Sequence, residues 1–273
     1  SRAIGVMMGL EATMHPFTSH PVWLEMAALS PRERYTRLRD DENLRHRLIA
    51  ERPDEKTMHF KEVELQRTFE LDAAVNYEPA PDQSIAARAK AQGRDPFDLA
   101  LELMMQNDGQ ALLMHPFENY CAGDLEVVKE MLEDPNTVCG VADAGAHVGV
   151  ICDASSPTSL LTHWGRDRTR GEKLPLEFLV RKQTHDTART YGLLDRGVIA
   201  PGYKADINLI DFEALRLQRP HIVYDLPAGG RRIIQKADGY RHTFVSGVEV
   251  MRGGEATGEL PGQLLRGARA VPN

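Results

Sequence analysis

The chain has 273 residues, of which 42% are hydrophobic and 27% charged, and its 33 basic and 40 acidic side chains give a net charge of −7. This composition is typical of a globular protein and excludes a disordered chain. No apolar run reaches the ~18–20 residues that a bilayer-spanning helix requires, and the acidic balance argues against a nucleic-acid-binding surface. Three cysteines without a Cys-x-x-Cys pair exclude a disulfide framework or a cysteine-based zinc knuckle, and they favour a cytoplasmic protein.

The N-terminal part begins with an apolar strand and then becomes helical and irregular. Residues 4–10 form an apolar run, which predicts a buried strand. Ser30 and Glu33 form a capping box with a proline between them at the first helical position, so a helix should run from there to about Leu38. Further predicted elements are a helix at residues 41–49 and a strand-like piece at residues 62–71.

From residue 84 onward, predicted helices alternate with short apolar strands. The helix that Asp124 caps places Leu125, Val128 and Met131 on one face. This alternation predicts a parallel α/β sheet. The elements in chain order are helices at 84–91 and 96–108, a strand at 111–114, a helix at 125–133, a strand at 137–142, and helices that begin at Ser156 and Pro175.

After about residue 194 the pattern changes, because Gly and Pro recur every few residues and amphipathic helices cease. Residues 205–211 predict a strand, and residues 244–251 predict a hairpin with Ser246 and Gly247 as its two-residue turn. We therefore expect an α/β part up to residue 194 and a small β part from 195 to 273.

The stretch 138–158 is the most informative for chemistry. Asp143 leaves an apolar strand among glycines, at the edge where α/β folds carry their active sites, so it is a candidate metal ligand or general base. His147 follows four residues later and is a candidate substrate contact. The alternative is that Asp143 only caps the turn through backbone amides. Asp153 ends a second apolar run, and a loop carboxylate is the favoured interpretation.

Other polar residues have weaker claims to function. Arg166 and Arg168 follow a predicted helix and are candidates for a bidentate clamp on a substrate carboxylate, although surface solvation is the commoner role. His15, His20 and His115 are interpreted as loop or structural histidines. No Gly-x-Ser-x-Gly motif occurs, which argues against a serine hydrolase. The P-loop and the Gly-x-Gly-x-x-Gly motif are also absent, which argues against nucleotide binding. No two histidines are arranged as His-x-His.

The chain resembles metal-dependent amidohydrolases, in the branch of the N-acyl-D-amino-acid deacylases (D-aminoacylases). The similarity covers most of the chain and is weakest at about 13–75, which looks like that branch's variable insertion. It lies in these segments: Val141-Ala142-Asp143-Ala144-Gly145-Ala146-His147, 152–154, 160–168, 195–197, 200–206, 225–230 and 245–248, with residues 4–10 and 119–120 before them.

The resemblance implies the C-terminal portion of a (β/α)8 TIM-type barrel over residues 1–194, followed by a small β-sandwich at 195–273. It implies zinc-dependent hydrolysis of a small-molecule amide, with Asp143 as general base and metal ligand. In that family the arginine for the substrate carboxylate follows the aspartate closely, where this chain has Ala154-Ser155, so Arg166 is the substitute candidate.

The family's other zinc ligands precede the region of resemblance. We therefore expect most ligands to lie outside this chain, and the absence of an initiator Met agrees with a start inside a larger enzyme. The chain should associate with an N-terminal half or with itself, because an incomplete barrel exposes strand edges and apolar faces. The competing hypothesis is a non-catalytic binding or assembly module that retains a barrel remnant.

Overall fold

The computed structural model describes residues 1–53, 56, 61–140 and 145–272, and its secondary structure mixes helices and strands. The α-helices are α1 Pro21–Glu25, α2 Pro31–Asp40, α3 Glu42–Ala50, α4 Ile85–Gln92, α5 Pro96–Gly109, α6 Glu126–Glu133, α7 Ser156–Ser159, α8 Leu176–Arg181 and α9 Thr187–Thr190. Short 3-10 helices lie at Glu62–Arg67, Pro81–Gln83 and Pro227–Gly229, and π-helical segments at Leu160–Asp167 and Lys182–Asp186.

The strands are short, and most of them lie in the C-terminal third. They are β1 Ile4–Met8, β2 Phe69–Glu70, β3 Leu113–Glu118, β4 Ile207–Ile210, β5 Arg216–Leu217, β6 His221–Leu226, β7 Gly230–Ile234, β8 Ala237–Asp238, β9 Tyr240–Val245, β10 Val248–Arg252 and β11 Glu255–Ala256.

Helix ends follow the predicted capping signals. Ser30 Oγ accepts from the backbone N–H of Glu33, and the Glu33 carboxylate accepts from the Ser30 N–H at 2.8 Å, so the capping box of α2 is confirmed. Ser84 caps α4, and Gly93 ends that helix in the left-handed region at φ +66°. These local interactions satisfy backbone groups that a helix end would otherwise leave unpaired.

The first sheet corrects the predicted pairing direction. Strand β3 lies between β1 and β2, and both pairs are antiparallel, with Met114 opposite Met7 and also opposite Phe69. The prediction of a parallel sheet was therefore wrong for these strands. The order of strands and helices in the sequence does not fix direction, because the long segment between β1 and β3 can return the chain either way.

Three other local predictions also differ from the structure. Leu132, not Met131, joins Leu125 and Val128 on the buried face of α6, while Met131 is 40% exposed. Residues 137–140 are not in a strand, and residues 141 and 142 of that prediction lie outside the described residues. Residues 62–71 form a 3-10 helix with only two strand residues at its end.

The C-terminal strands form antiparallel ladders in the order β11-β10-β9-β4, with separate pairs β5-β8 and β6-β7. The predicted hairpin is confirmed, since Val245 pairs with Val248 across a two-residue turn. Ser246 and Gly247 have φ values of +51° and +81°, which is the geometry of the turn that matches the twist of a hairpin.

Three buried clusters form the core. One lies among α1 to α5, and the other two join residues of the helical part to residues of the strand-rich part. In the second cluster, Trp164 and Leu160 pack with Leu215 from the loop before β5. Among the described helices, none combines the length and apolarity needed to cross a membrane.

Candidate active site

The predicted catalytic segment is only partly described, and Asp143 itself lies outside the described residues. His147 is exposed and adopts φ +48°, and its carbonyl oxygen accepts hydrogen bonds from the backbone N–H groups of Val150 and Ile151 at 2.8 and 2.9 Å. The His147 side chain is therefore open to contact, four positions after Asp143.

Arg166 lies at the end of the π-helical segment and is half-buried. Its guanidinium donates to the carbonyl oxygens of Phe212 and, at 2.7 Å, Leu215, and its Nε lies 2.6 Å from the Asp167 carboxylate. In this structure Arg166 joins the helical part to the loop before β5, and it faces protein acceptors rather than an open binding surface.

Arg168, two residues later, clamps a carboxylate of the protein itself. Its Nε and Nη2 each lie 3.0 Å from one oxygen of Glu78, and both side chains are at most 2% exposed. Glu78 also accepts from the Leu125 N–H at 2.9 Å and lies 3.0 Å from His163 Nε2. The bidentate geometry expected for a substrate clamp is thus used internally.

A cavity of about 270 Å³ lies beside the segment that leads to Asp143, and we call it the Arg2 cavity. The wall of the cavity contains Gly140, the last described residue before Asp143. It also contains Cys139, Asn119, Arg2 and Asp153. Burial raises the pKa of the Cys139 thiol, so this cysteine stays protonated at neutral pH and is a poor nucleophile.

The ion pair of Arg2 and Asp153 anchors the loop behind this cavity. Arg2 Nη2 lies 2.7 Å from Asp153 Oδ1 and donates to the Cys152 carbonyl oxygen at 2.9 Å, while its guanidinium covers the Tyr77 ring at 3.9 Å. Arg2 Nε and Nη1 and Asp153 Oδ2 are buried without a partner among the described residues. Because one partner alone would be a buried uncompensated charge, the pair holds the chain around Asp153 against the start of β1.

Asp153 lies in a loop, as interpreted from the sequence, but the residue is 3% exposed and paired with Arg2. Sequence reasoning missed Arg2 and Glu78. For Arg2 there was one usable signal: a charged residue directly before a buried strand requires a partner once the strand is covered. Glu78 follows an irregular stretch, where no periodicity marks a residue as buried.

The described residues do not by themselves form a metal site. Within those ranges, no three His, Cys, Asp or Glu side chains are grouped closely enough to hold a metal ion. A catalytic zinc normally has three protein ligands. The described part of the chain therefore does not fit a complete zinc site.

Comparison with known proteins identifies relatives over most of the chain. The sequence model of the amidohydrolase family matches residues 14–251. An N-acyl-D-aspartate deacylase from Alcaligenes xylosoxydans xylosoxydans is 29% identical over 175 residues, which are 54% of this chain and 33% of that protein. A 5-methylthioadenosine/S-adenosylhomocysteine deaminase from Desulfitobacterium hafniense is 36% identical over 104 residues, 33% of this chain and 24% of that protein.

A solved structure of D-aminoacylase aligns with 23% identity and a TM-score of 0.37 over 71% of this chain and 36% of that one. A second D-aminoacylase structure, from work on the role of its binuclear metal centre, gives the same identity and TM-score over 73% and 38%. The chain spans a third or less of the length of the curated relatives it matches.

Proposed function

The chain belongs to the amidohydrolase family, and from this membership we propose that it takes part in the hydrolysis of a small-molecule amide, linear or cyclic, in the manner of an N-acyl-amino-acid deacylase. The observation that carries the proposal is the family match over residues 14–251, which includes the segment from Val141 to His147. The similarity to an N-acyl-D-aspartate deacylase supports the acyl-amino-acid class of substrate.

In this proposal Asp143 is the general base. Its carboxylate takes a proton from the attacking water and delivers it to the leaving nitrogen. This nitrogen must be protonated in order to leave as a neutral amine. The Arg2–Asp153 pair supports this role by fixing the chain at residue 153, ten positions after Asp143 in the sequence. His147 and Arg166 are proposed as substrate contacts, and Arg166 must then exchange at least one of its carbonyl acceptors for substrate.

The proposal also includes zinc, with Asp143 as one ligand and most other ligands from residues outside this chain. It follows that the active form is an assembly, either with an N-terminal half or with a second copy. Residues 1–194 are then a partial TIM-type barrel and 195–273 a small β-sandwich, in a cytoplasmic enzyme.

The test is Asp143→Asn in the complete enzyme, assayed with N-acetylated D- and L-amino acids and with cyclic amides. We expect kcat to fall by about 10²–10⁴-fold, the usual contribution of a positioned general base, with an unchanged Tm. Asp40→Asn is the matched control, since Asp40 is exposed on α2 and pairs with Arg39. Activity equal to that of the wild type in Asp143→Asn contradicts the mechanism.

A second function, a non-catalytic binding or assembly module, is favoured by the lack of a grouped ligand set within the described ranges. Zinc content separates the two functions. An assembly that binds zinc in stoichiometric amount only when the 273-residue chain and its partner are both present supports the hydrolase. An assembly that binds no zinc and hydrolyses no amide in the panel supports the module.

Sedimentation velocity tests the proposed association separately. We expect the isolated chain to self-associate in a concentration-dependent manner or to form a defined complex with the N-terminal half. A compact monomer that does not bind the N-terminal half would contradict the proposed assembly.

A further inference from the structure

A second polar cavity, of about 300 Å³, lies between residues 74–78, the segment 159–170 and strand β5. We call it the Arg170 cavity. Its volume is at the lower end of the range of small-molecule sites. Its wall carries charged and hydroxyl-bearing side chains, including His163, Arg170, Thr162 and Ser159.

The buried carboxylate of Glu78 lies in the wall of this cavity and accepts hydrogen bonds from His163 and Arg168. Burial by itself would raise the pKa of Glu78, but the hydrogen bonds from His163 and Arg168 outweigh burial and lower that pKa to about 2. Glu78 is therefore ionised, and His163 donates to it through Nε2. The opposite ring nitrogen of His163, Nδ1, has no protein partner within the described ranges and is not sealed from solvent.

Arg170 lines the same cavity, and one edge of its guanidinium has no protein partner in the described ranges. Its Nη1 is the atom that contacts protein, at 2.9 Å from the Gly123 carbonyl oxygen, 3.0 Å from the Tyr120 hydroxyl and 3.1 Å from the Pro79 carbonyl oxygen. Nε and Nη2 have no partner in the described part of the chain and are not buried out of reach. These two N–H groups are parallel donors, the fork that binds a carboxylate side-on.

Among the charged side chains that line the cavity, Arg170 is the one without an ion-pair partner in the described ranges. Glu78 is paired with Arg168, Asp167 with Arg166 at 2.6 Å, and Arg216 with Asp238 at 2.8 Å. Arg170 has no carboxylate partner in the described ranges. Its neighbour Tyr120 does not supply a negative charge, because burial raises the pKa of that phenol to about 12.

We propose that the Arg170 cavity binds a small molecule through a carboxylate, held by the Nε and Nη2 edge of Arg170 beside His163. A carboxylate matches the two parallel donors of that edge, and the ionised Glu78 nearby disfavours a phosphate dianion. Binding there does not require hydrolysis, so the inference stands or falls independently of the role of Asp143.

Calorimetric titration of the full chain with N-acetylglycine, acetate and N-acetylglycinamide tests this inference. We expect saturable 1:1 binding of the two carboxylates and none of the neutral amide. Tighter binding of N-acetylglycine identifies an acyl amino acid as the ligand class, and equal binding identifies a simple acid. The titration measures binding and not turnover, and the Arg170 variants assign the site, so a failure of the proposed hydrolysis leaves this measurement intact.

The decisive variant is Arg170→Lys, which keeps the charge and removes the fork. We expect Kd to rise by about tenfold or more, as for the loss of one charge-assisted hydrogen bond. Arg216→Lys, in the same wall but paired with Asp238, should change Kd little. Arg170→Gln, which removes the charge as well as the fork, should abolish saturable binding and serves if Arg170→Lys does not fold. The proposal is overturned if the amide binds equally, if neither carboxylate saturates, or if Arg170→Lys or Arg170→Gln folds and binds like the wild type.

Discussion

A histidine that is buried in the folded state makes the free energy of unfolding depend on pH, and His15 is the clearest case. The residue is 2% exposed, and burial followed by the charges of Arg34 and His20 lowers its pKa to about 3. Between pH 6.5 and about 3, His15 is protonated in the unfolded chain and neutral in the folded chain. Stability should therefore be fully present above pH 6.5 and decrease as the pH falls from 6.5 towards 3.

Urea denaturation at pH 7.5, 6, 5 and 4 measures this dependence. His15→Gln should be less stable at pH 7.5, because the ring packs edge-on against Trp23 at 4.2 Å, but its stability should fall less steeply between pH 6.5 and 4.5. His46→Gln is the control, since His46 is 74% exposed and its removal should leave the slope unchanged. Parallel curves for wild type and His15→Gln would refute the assignment.

Glu78 and Glu126 contact the same guanidinium, that of Arg168, and differ in exposure at 2% and 52%. Glu78→Gln leaves Arg168 buried with only a half-exposed counter-ion and should cost about 3–5 kcal/mol. Glu126→Gln should cost no more than about 1 kcal/mol, because its pair is screened by solvent. Urea denaturation at pH 7 measures both variants, and equal costs would show that the buried pair is not the stabilising one.

In the strand-rich region, Gly239 combines a positive φ with a close approach of another backbone segment. Gly239 lies between β8 and β9 with φ +100°, and a Cβ there would lie 2.6 Å from the Leu215 Cα and 2.8 Å from the Leu215 nitrogen. These are backbone atoms, so the clash cannot be relieved by a rotamer change. Gly239→Ala should cost about 3 kcal/mol or more, from backbone strain and overpacking together.

Gly253 provides the matched control for this prediction. It also has a positive φ, +56°, but a Cβ there would meet nothing within 4 Å. Gly253→Ala should therefore show the conformational cost alone, about 1 kcal/mol. Thermal unfolding of the two variants separates the terms, and similar Tm values would contradict the close approach at Gly239.

At the level of elements, the sequence predicted what depends on neighbouring residues. The capping box at Ser30 and the hairpin turn at Ser246-Gly247 are confirmed because their hydrogen bonds and backbone angles are set within a few positions. The antiparallel direction of β1 and β3 depends on contacts across the chain, and so no local pattern revealed it.

The same limit applies to the candidate site. Arg166 and Arg168 are indistinguishable in sequence, yet one contacts carbonyl oxygens beyond β4 and the other a carboxylate 90 positions earlier. Arg2 and Asp153 are likewise 151 positions apart. Residue type indicated what these side chains can bind, and only the folded chain decides which partner reaches them.

Across the whole molecule, packing crosses the predicted boundary near residue 194. Trp164 and Leu215 are both 0% exposed in one cluster, with Tyr240 packed against it, and Arg166 donates to carbonyl oxygens on the far side. Neither part can expose this shared surface without losing burial worth about 25 cal/mol per Å². The helical and strand-rich parts should therefore unfold together in one transition.

Urea denaturation followed by both circular dichroism and tryptophan fluorescence tests this cooperativity. Both tryptophans, Trp23 and Trp164, lie in the helical part, whereas the far-ultraviolet signal reports helices and strands together, so the two midpoints should coincide if the parts are coupled. Leu215→Ala removes a fully buried side chain from the shared cluster and should cost about 2–5 kcal/mol. It should lower both midpoints together, whereas exposed Leu209→Ala on β4 should lower neither much. Two separated transitions in the wild type would show that residues 1–194 and 195–273 unfold independently, and that the shared cluster couples them only weakly.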